Sequence, residues 1–132
     1  MTPRYVRDVE LYVDTRGRSG VEDDLRRIAR SDARGIRSIR NKIDLLRQQS
    51  FEDALQSRLI KKPSATLYVL RVQSGPVAYR LPFFEPPCRG GAIVVLTSCE
   101  HRRDLGGDSY GDLIAEAERL RLDWIERNCE GG

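Results

Sequence analysis

The sequence predicts an α+β fold, a small twisted, mainly antiparallel sheet with helices packed on one face. Three observations carry this prediction. Two β-rich runs flank a Gly/Pro turn within residues 67–84, residues 92–96 are apolar throughout, and apolar residues recur at helical spacing before and after these runs. The order they give is β-α-α-β-β-β-α, read as one domain over residues 1–132 with no repeat or low-complexity segment.

Val9, Leu11 and Val13 alternate with Asp8, Glu10 and Tyr12, which predicts a first strand with one buried face. Arg16-Gly17-Arg18-Ser19-Gly20 breaks it. Val21, Leu25, Ile28 and Ala29 then recur at helical spacing, and Ile36, Ile39, Ile43 and Leu46 do so again after Gly35. These are two helices or one bent helix, jointed over residues 31–35. Residues 51–62 read as a transition segment ending in Lys61-Lys62, just before Pro63.

The hairpin comes next. With its turn centred on Ser74-Gly75, Val72 lies opposite Val77 and Val69 opposite Arg80. Arg71 and Arg80 then share a face as diagonal neighbours, roughly 7–8 Å apart. The other face carries Tyr68, Leu70, Val72, Val77, Tyr79 and Leu81, a surface fit for a core. Residues 85–91 form a second turn, whose Pro86 and Pro87 do not suit a central strand. The apolar run at 92–96 reads as a strand covered on both faces. In the last helix Ser109 is the expected cap with Asp112 at its N3 position. Leu113, Ala117, Leu120 and Trp124 form its apolar stripe.

Composition narrows the class. Apolar residues make up 39% and charged residues 33%, with a net charge of +3, too small to identify a nucleic-acid binder by itself. The distribution says more: Arg34, Arg37, Arg40, Lys42 and Arg47 face only Asp44 in their stretch, while the C-terminus is more acidic. Cys88, Cys99 and Cys129 are odd in number and lie in no metal-type spacing, so neither a disulfide framework nor a zinc site is expected. The opening residues carry no hydrophobic leader and no run reaches membrane-spanning length. The expectation is a reduced, cytoplasmic protein without membrane association.

No Gly-rich phosphate loop, CxxC pair, HExxH or Ser/His pairing is present, and the single histidine, His101, excludes a polyhistidine metal site. What remains is a basic surface expected to work without metal or cofactor. Lys61 and Lys62 enter the hairpin, Arg71 and Arg80 lie on it, and His101, Arg102 and Arg103 follow the apolar strand. Each arginine has a plainer alternative, a surface ion pair, and a lone histidine is more often structural than catalytic. Antiparallel pairing of residues 77–84 with 92–99 brings these groups to one side of the sheet. Such a set suits RNA cleavage, because the RNA supplies its own nucleophile, the 2′-OH. The protein must orient the backbone, stabilise a pentavalent phosphorane and move protons, roles for arginine and for lysine, histidine or tyrosine.

Leu67-Tyr68-Val69-Leu70-Arg71, Tyr79-Arg80-Leu81, the apolar strand and the basic segment before an Ala-containing helix resemble the RelE/ParE toxin superfamily, in particular its HigB-like, phage-associated subgroup. The resemblance covers roughly residues 55–125. It implies the toxin of a type II toxin–antitoxin system, a ribosome-dependent endoribonuclease that cuts mRNA and is neutralised by a cognate antitoxin. By position it implies Arg71 and Arg80 as the phosphate-binding pair, Lys61 and Lys62 as RNA contacts, and Arg102 and Arg103 as the basic segment after the last strand. Cys99-Glu100-His101 replaces the aromatic that usually precedes that segment, and Glu100 is expected to put an anion among the cations. Within the same superfamily, a ParE-like gyrase inhibitor or a catalytically silent phage or host interaction protein is the alternative.

Overall fold

A computed structural model describes residues 7–102 and 110–129. β1 (Asp8–Leu11) leads into α1 (Gly20–Ser31), α2 (Ala33–Arg47) and a short α3 (Phe51–Gln56). β2 (Ile60–Lys61), β3 (Tyr68–Ser74), β4 (Val77–Phe84), β5 (Ala92–Val95) and β6 (Cys99–Arg102) follow, and α4 (Tyr110–Asn128) comes last. The strands form one twisted mixed sheet in the order β1-β5-β4-β3-β2, with β6 also paired to β4. Only the β1–β5 pair is parallel. The α+β class and the predicted order are present, with α3 and β2 added from the segment read as a transition and β6 from residues that follow the apolar strand. The expected cap Ser109 lies outside the described residues.

Helices α1 and α2 are separate. Asp32 ends the first, donating its N–H to the Ile28 carbonyl at 2.7 Å, and starts the second by accepting from the Gly35 N–H at 2.8 Å. Their apolar stripes turn inward: Val21, Ile28, Ile36, Ile39 and Leu46 pack on Leu70, Val72, Tyr79, Leu81, Ile93 and Val95. Asp32 also accepts from the Tyr79 hydroxyl at 2.7 Å and the Ser74 hydroxyl at 3.1 Å, tying the helix joint to the hairpin. These donors, the Tyr79 hydroxyl foremost, hold its carboxyl below the usual carboxylate range. Gly35 is required here by space. A Cβ would meet the Asp32 carboxylate and lie 2.9 Å from the Tyr79 ring.

The helices do not all lie on one face. Leu113, Ala117, Leu120 and Trp124 are buried, as expected, and α4 packs with Tyr12, Leu67, Phe84, Val94 and Leu96 on the side opposite α1 and α2. Successive strand residues point to opposite faces, and Phe83 and Phe84 fall in different clusters. The apolar run at 92–96 has both faces to cover, so it needs a helix on each side. For the same reason the first strand has no single buried face: Val9 and Leu11 pack toward α1 and α2, Tyr12 toward α4, and Val13 is 41% exposed.

Cys88 and Cys129 form a disulfide across 41 residues, with Cα atoms 5.4 Å apart, and Cys99 is free. This corrects both expectations drawn from the cysteines, that there is no disulfide and that the chain is fully reduced. The pairing depends on α4 returning its end to the β4–β5 turn, which no local spacing encodes. Beside it, Arg89 binds Glu10 at 2.6 Å and lies over the Trp124 ring, 5.3 Å from its centroid. No helix among the described residues is long and apolar enough to cross a membrane.

Candidate nucleic-acid interface

The hairpin turns at Gly75-Pro76, with Gly75 at φ +59°. This shifts the expected register: Val72 pairs with Tyr79, and Arg71 stands directly opposite Arg80. The faces are unchanged, because the shift preserves alternation, but the arginines are nearest neighbours and not diagonal ones. The physical reason is proline's fixed φ, which suits a turn position and leaves Ser74 free to pair with Val77. Gln73 braces the turn, its amide donating to the Gly75 carbonyl at 2.7 Å and the Val77 carbonyl at 3.1 Å.

His101 reaches the same face through an irregularity in the neighbouring strand. β5 and β6 both pair with the same edge of β4. Phe83 faces Val95 and Arg80 faces Cys99, so three steps along β4 correspond to four along its partner. One extra residue reverses which side chains point where. It falls beside Pro82, which accepts from the Leu96 N–H at 2.9 Å but has no N–H to return. The offset puts His101 opposite Ala78 and Cys99 opposite Arg80, on the arginine face. Glu100 pairs with Tyr79 and belongs to the other face. The expected anion among the cations is therefore absent from this arrangement.

Arg71, Gln73, Pro76, Ala78, Arg80 and His101 line an open cavity of about 130 Å³. Arg71 is exposed, while Arg80 and His101 are half-buried. Neither arginine has an ion pair among the described residues. Like charges directly opposite on a sheet are destabilising, so the pair stands at a cost to the fold. The Arg80 guanidinium carbon lies 5.0 Å from the centroid of the Tyr110 ring, at the start of α4. Reading the sequence missed Tyr110, since nothing local tells that α4 begins over β4. Burial pushes the Cys99 thiol up, with Arg80 pulling the other way, so it is a neutral neighbour and not a thiolate.

The remaining expected residues divide. Lys61 pairs with Val69 and so shares the arginine face, exposed at its edge. Lys62 turns away, its ammonium 5.3 Å from the ring of Tyr68 on the α1–α2 side. The backbone of Arg102 pairs with Val77 at the end of β6, and Arg103 lies outside the described residues. No group of three or more His, Cys, Asp or Glu side chains able to hold a metal occurs among the described residues.

Chemically, two guanidinium forks and an imidazole in one small cavity can grip a phosphodiester by its nonbridging oxygens and exchange a proton beside it. No family model matches the chain, and no curated protein is similar to it in sequence.

Proposed function

We propose that this protein is a metal-independent endoribonuclease, the toxin of a type II toxin–antitoxin pair, cutting mRNA on the ribosome. The observation that carries the reading is the directly opposed Arg71–Arg80 pair, without an ion pair among the described residues, sharing one cavity with His101. The resemblance to RelE/ParE toxins gives the reading its biological frame. The strand order, with β5 laid parallel beside β1 and a helical hairpin following β1 in the chain, supports a RelE-like topology.

In this mechanism the RNA 2′-oxygen attacks phosphorus and the bond to the 5′-oxygen breaks, leaving a 2′,3′-cyclic phosphate and a 5′-hydroxyl. Arg71 and Arg80 hold the nonbridging oxygens and take up the charge that grows on the phosphorane. His101 accepts the 2′-OH proton, and the departing 5′-oxygen takes up a proton from solvent water. Lys61, on the same face, is placed to meet the incoming backbone. The ribosome and mRNA are its targets, a cognate antitoxin its inhibitor and the cytoplasm its place of action.

Induced expression tests this. Protein synthesis should stop before DNA synthesis, and new mRNA ends should map within translated frames. Those ends should vanish in Arg71→Ala and Arg80→Ala variants, and co-expression of a neighbouring gene's product should relieve toxicity. Intact mRNA together with a DNA-damage response would overturn the reading in favour of gyrase inhibition.

A further inference from the structure

We propose that the outer face of α2 docks on the phosphate backbone of double-stranded RNA. On α1 and α4 most arginines are balanced locally, with Arg30 in the last turn of α1 the exception. On α4, Arg119, Arg121 and Arg127 are each ion-paired with a carboxylate one turn away, and on α1 Arg26 and Arg27 are paired with Glu22 and Asp24. Helix α2 breaks the pattern. Its one carboxylate, Asp44, sits 3.8 Å from Arg47, and Arg34, Arg37 and Arg40 are exposed with no ion pair or hydrogen bond among the described residues.

Spacing of three residues sets these arginines on a stripe that winds about 120° around the helix, with Arg34 and Arg40 about 9 Å apart along the axis and Arg40 bordering the groove toward α1, where Glu22 also lies. They present a row of charge to a ligand whose own charges recur every few ångströms. Planar guanidinium forks fit phosphate oxygens two at a time. The stripe offers little else. The apolar side of α2 is turned inward through Ile36, Ile39 and Leu46, and Leu45, 40% exposed, is too little by itself to make the apolar face with which an interfacial helix enters a membrane. It holds no aromatic on which unpaired bases would stack. Duplex RNA, held mainly through its backbone, meets these limits.

The choice of RNA rests on the endoribonuclease reading. That reading sets the message on one face of the sheet and leaves α2, on the other, to meet a second, base-paired stretch. Binding is tested apart from cleavage, so the two ideas fail separately. A short mixed-sequence RNA duplex is titrated with wild type and with an Arg34→Gln/Arg37→Gln/Arg40→Gln variant, following fluorescence anisotropy at several salt concentrations. The variant should bind at least about tenfold more weakly at low salt. Its dependence of log affinity on log salt should be shallower by about two to three. Matching melting curves establish that both proteins are folded. Unchanged affinity and slope in the α2 variant would overturn the proposal. Tighter binding to a DNA duplex of the same length would overturn RNA as the source of the phosphates. Binding of the stripe to phosphatidylserine vesicles, with RNA binding unaffected by the three substitutions, would replace it with a membrane surface.

Discussion

The two faces of the sheet are built by different means. One is sealed by α1, α2 and α3 over a continuous apolar surface, with Asp32 pinning the helix joint to the hairpin. The other is covered over half its extent by the single helix α4, and its open half carries Arg71, Arg80 and His101. The first face concentrates what holds the chain folded. The second gives up burial to keep cations at a surface where they can meet a ligand. Changes on the two faces should accordingly separate stability from activity.

The largest effect is expected on the open face. Arg71→Ala or Arg80→Ala should lower RNA cleavage by about 10²–10³-fold, the loss seen when one charged or polar donor leaves a preorganised oxyanion site. Melting temperature should stay level or rise slightly, since each change relieves a like-charge pair worth about 0.2–1 kcal/mol. A large fall in melting temperature would mean that these arginines serve the fold.

Reducing the Cys88–Cys129 bond should come next, costing about 2–4 kcal/mol of unfolding free energy as its 41-residue span is released. The loss should be local at first. Amide exchange should speed up in α4 well before α1 and α2, and uniform acceleration would show that the covers of the two faces are not independent. Gly35→Ala tests the sealed face. The methyl group has nowhere to go between Asp32 and Tyr79, so stability should fall by about 1–3 kcal/mol in denaturant titrations, with the Arg71–Arg80 register preserved.

The smallest effect concerns pH. The Asp32 carboxyl is held low, first by the Tyr79 hydroxyl and then by the Gly35 N–H. A depressed folded-state pKa gives stability that is present above the unfolded carboxylate value, about 3.9, and lost as pH falls through the folded one. The melting-temperature gap between wild type and Tyr79→Phe should therefore be full near neutrality and close in acid. A gap independent of pH would remove Asp32 as its cause.

Which features were readable from sequence follows from the range of the forces involved. The apolar stripe of α4, the helical stripes before and after Gly35 and the core face of the hairpin are periodic, and periodicity is local, whereas the break at Asp32 that separates α1 from α2 has no periodic signal to tell two helices from one bent one. The shared face of Arg71 and Arg80 was legible for the same reason, although their exact pairing depended on which residues made the turn. Tertiary return hid the rest. The seating of α4 on the second face, the Cys88–Cys129 bond and the position of Tyr110 over Arg80 all arise from residues far apart in the chain. β6 was hidden differently: its Glu100, His101 and Arg102 are charged or polar without the pattern of a strand, and their partner is supplied by β4.

The extra residue between β5 and β6 has a consequence for how this protein can change over generations. Losing a single codon in the Thr97–Ser98 link would remove the surplus residue and let β5 run into β6 as one regular strand, with Cys99 still opposite Arg80 and His101 still opposite Ala78. Smoothing the bulge with no residue lost would instead slip β6 by one position, setting Glu100 opposite Ala78 on the arginine face and His101 opposite Val77 on the sealed side. The link therefore tolerates a one-codon loss better than a change of conformation. What inheritance must preserve is the place where the chain bulges, beside Pro82, more than the length of the link.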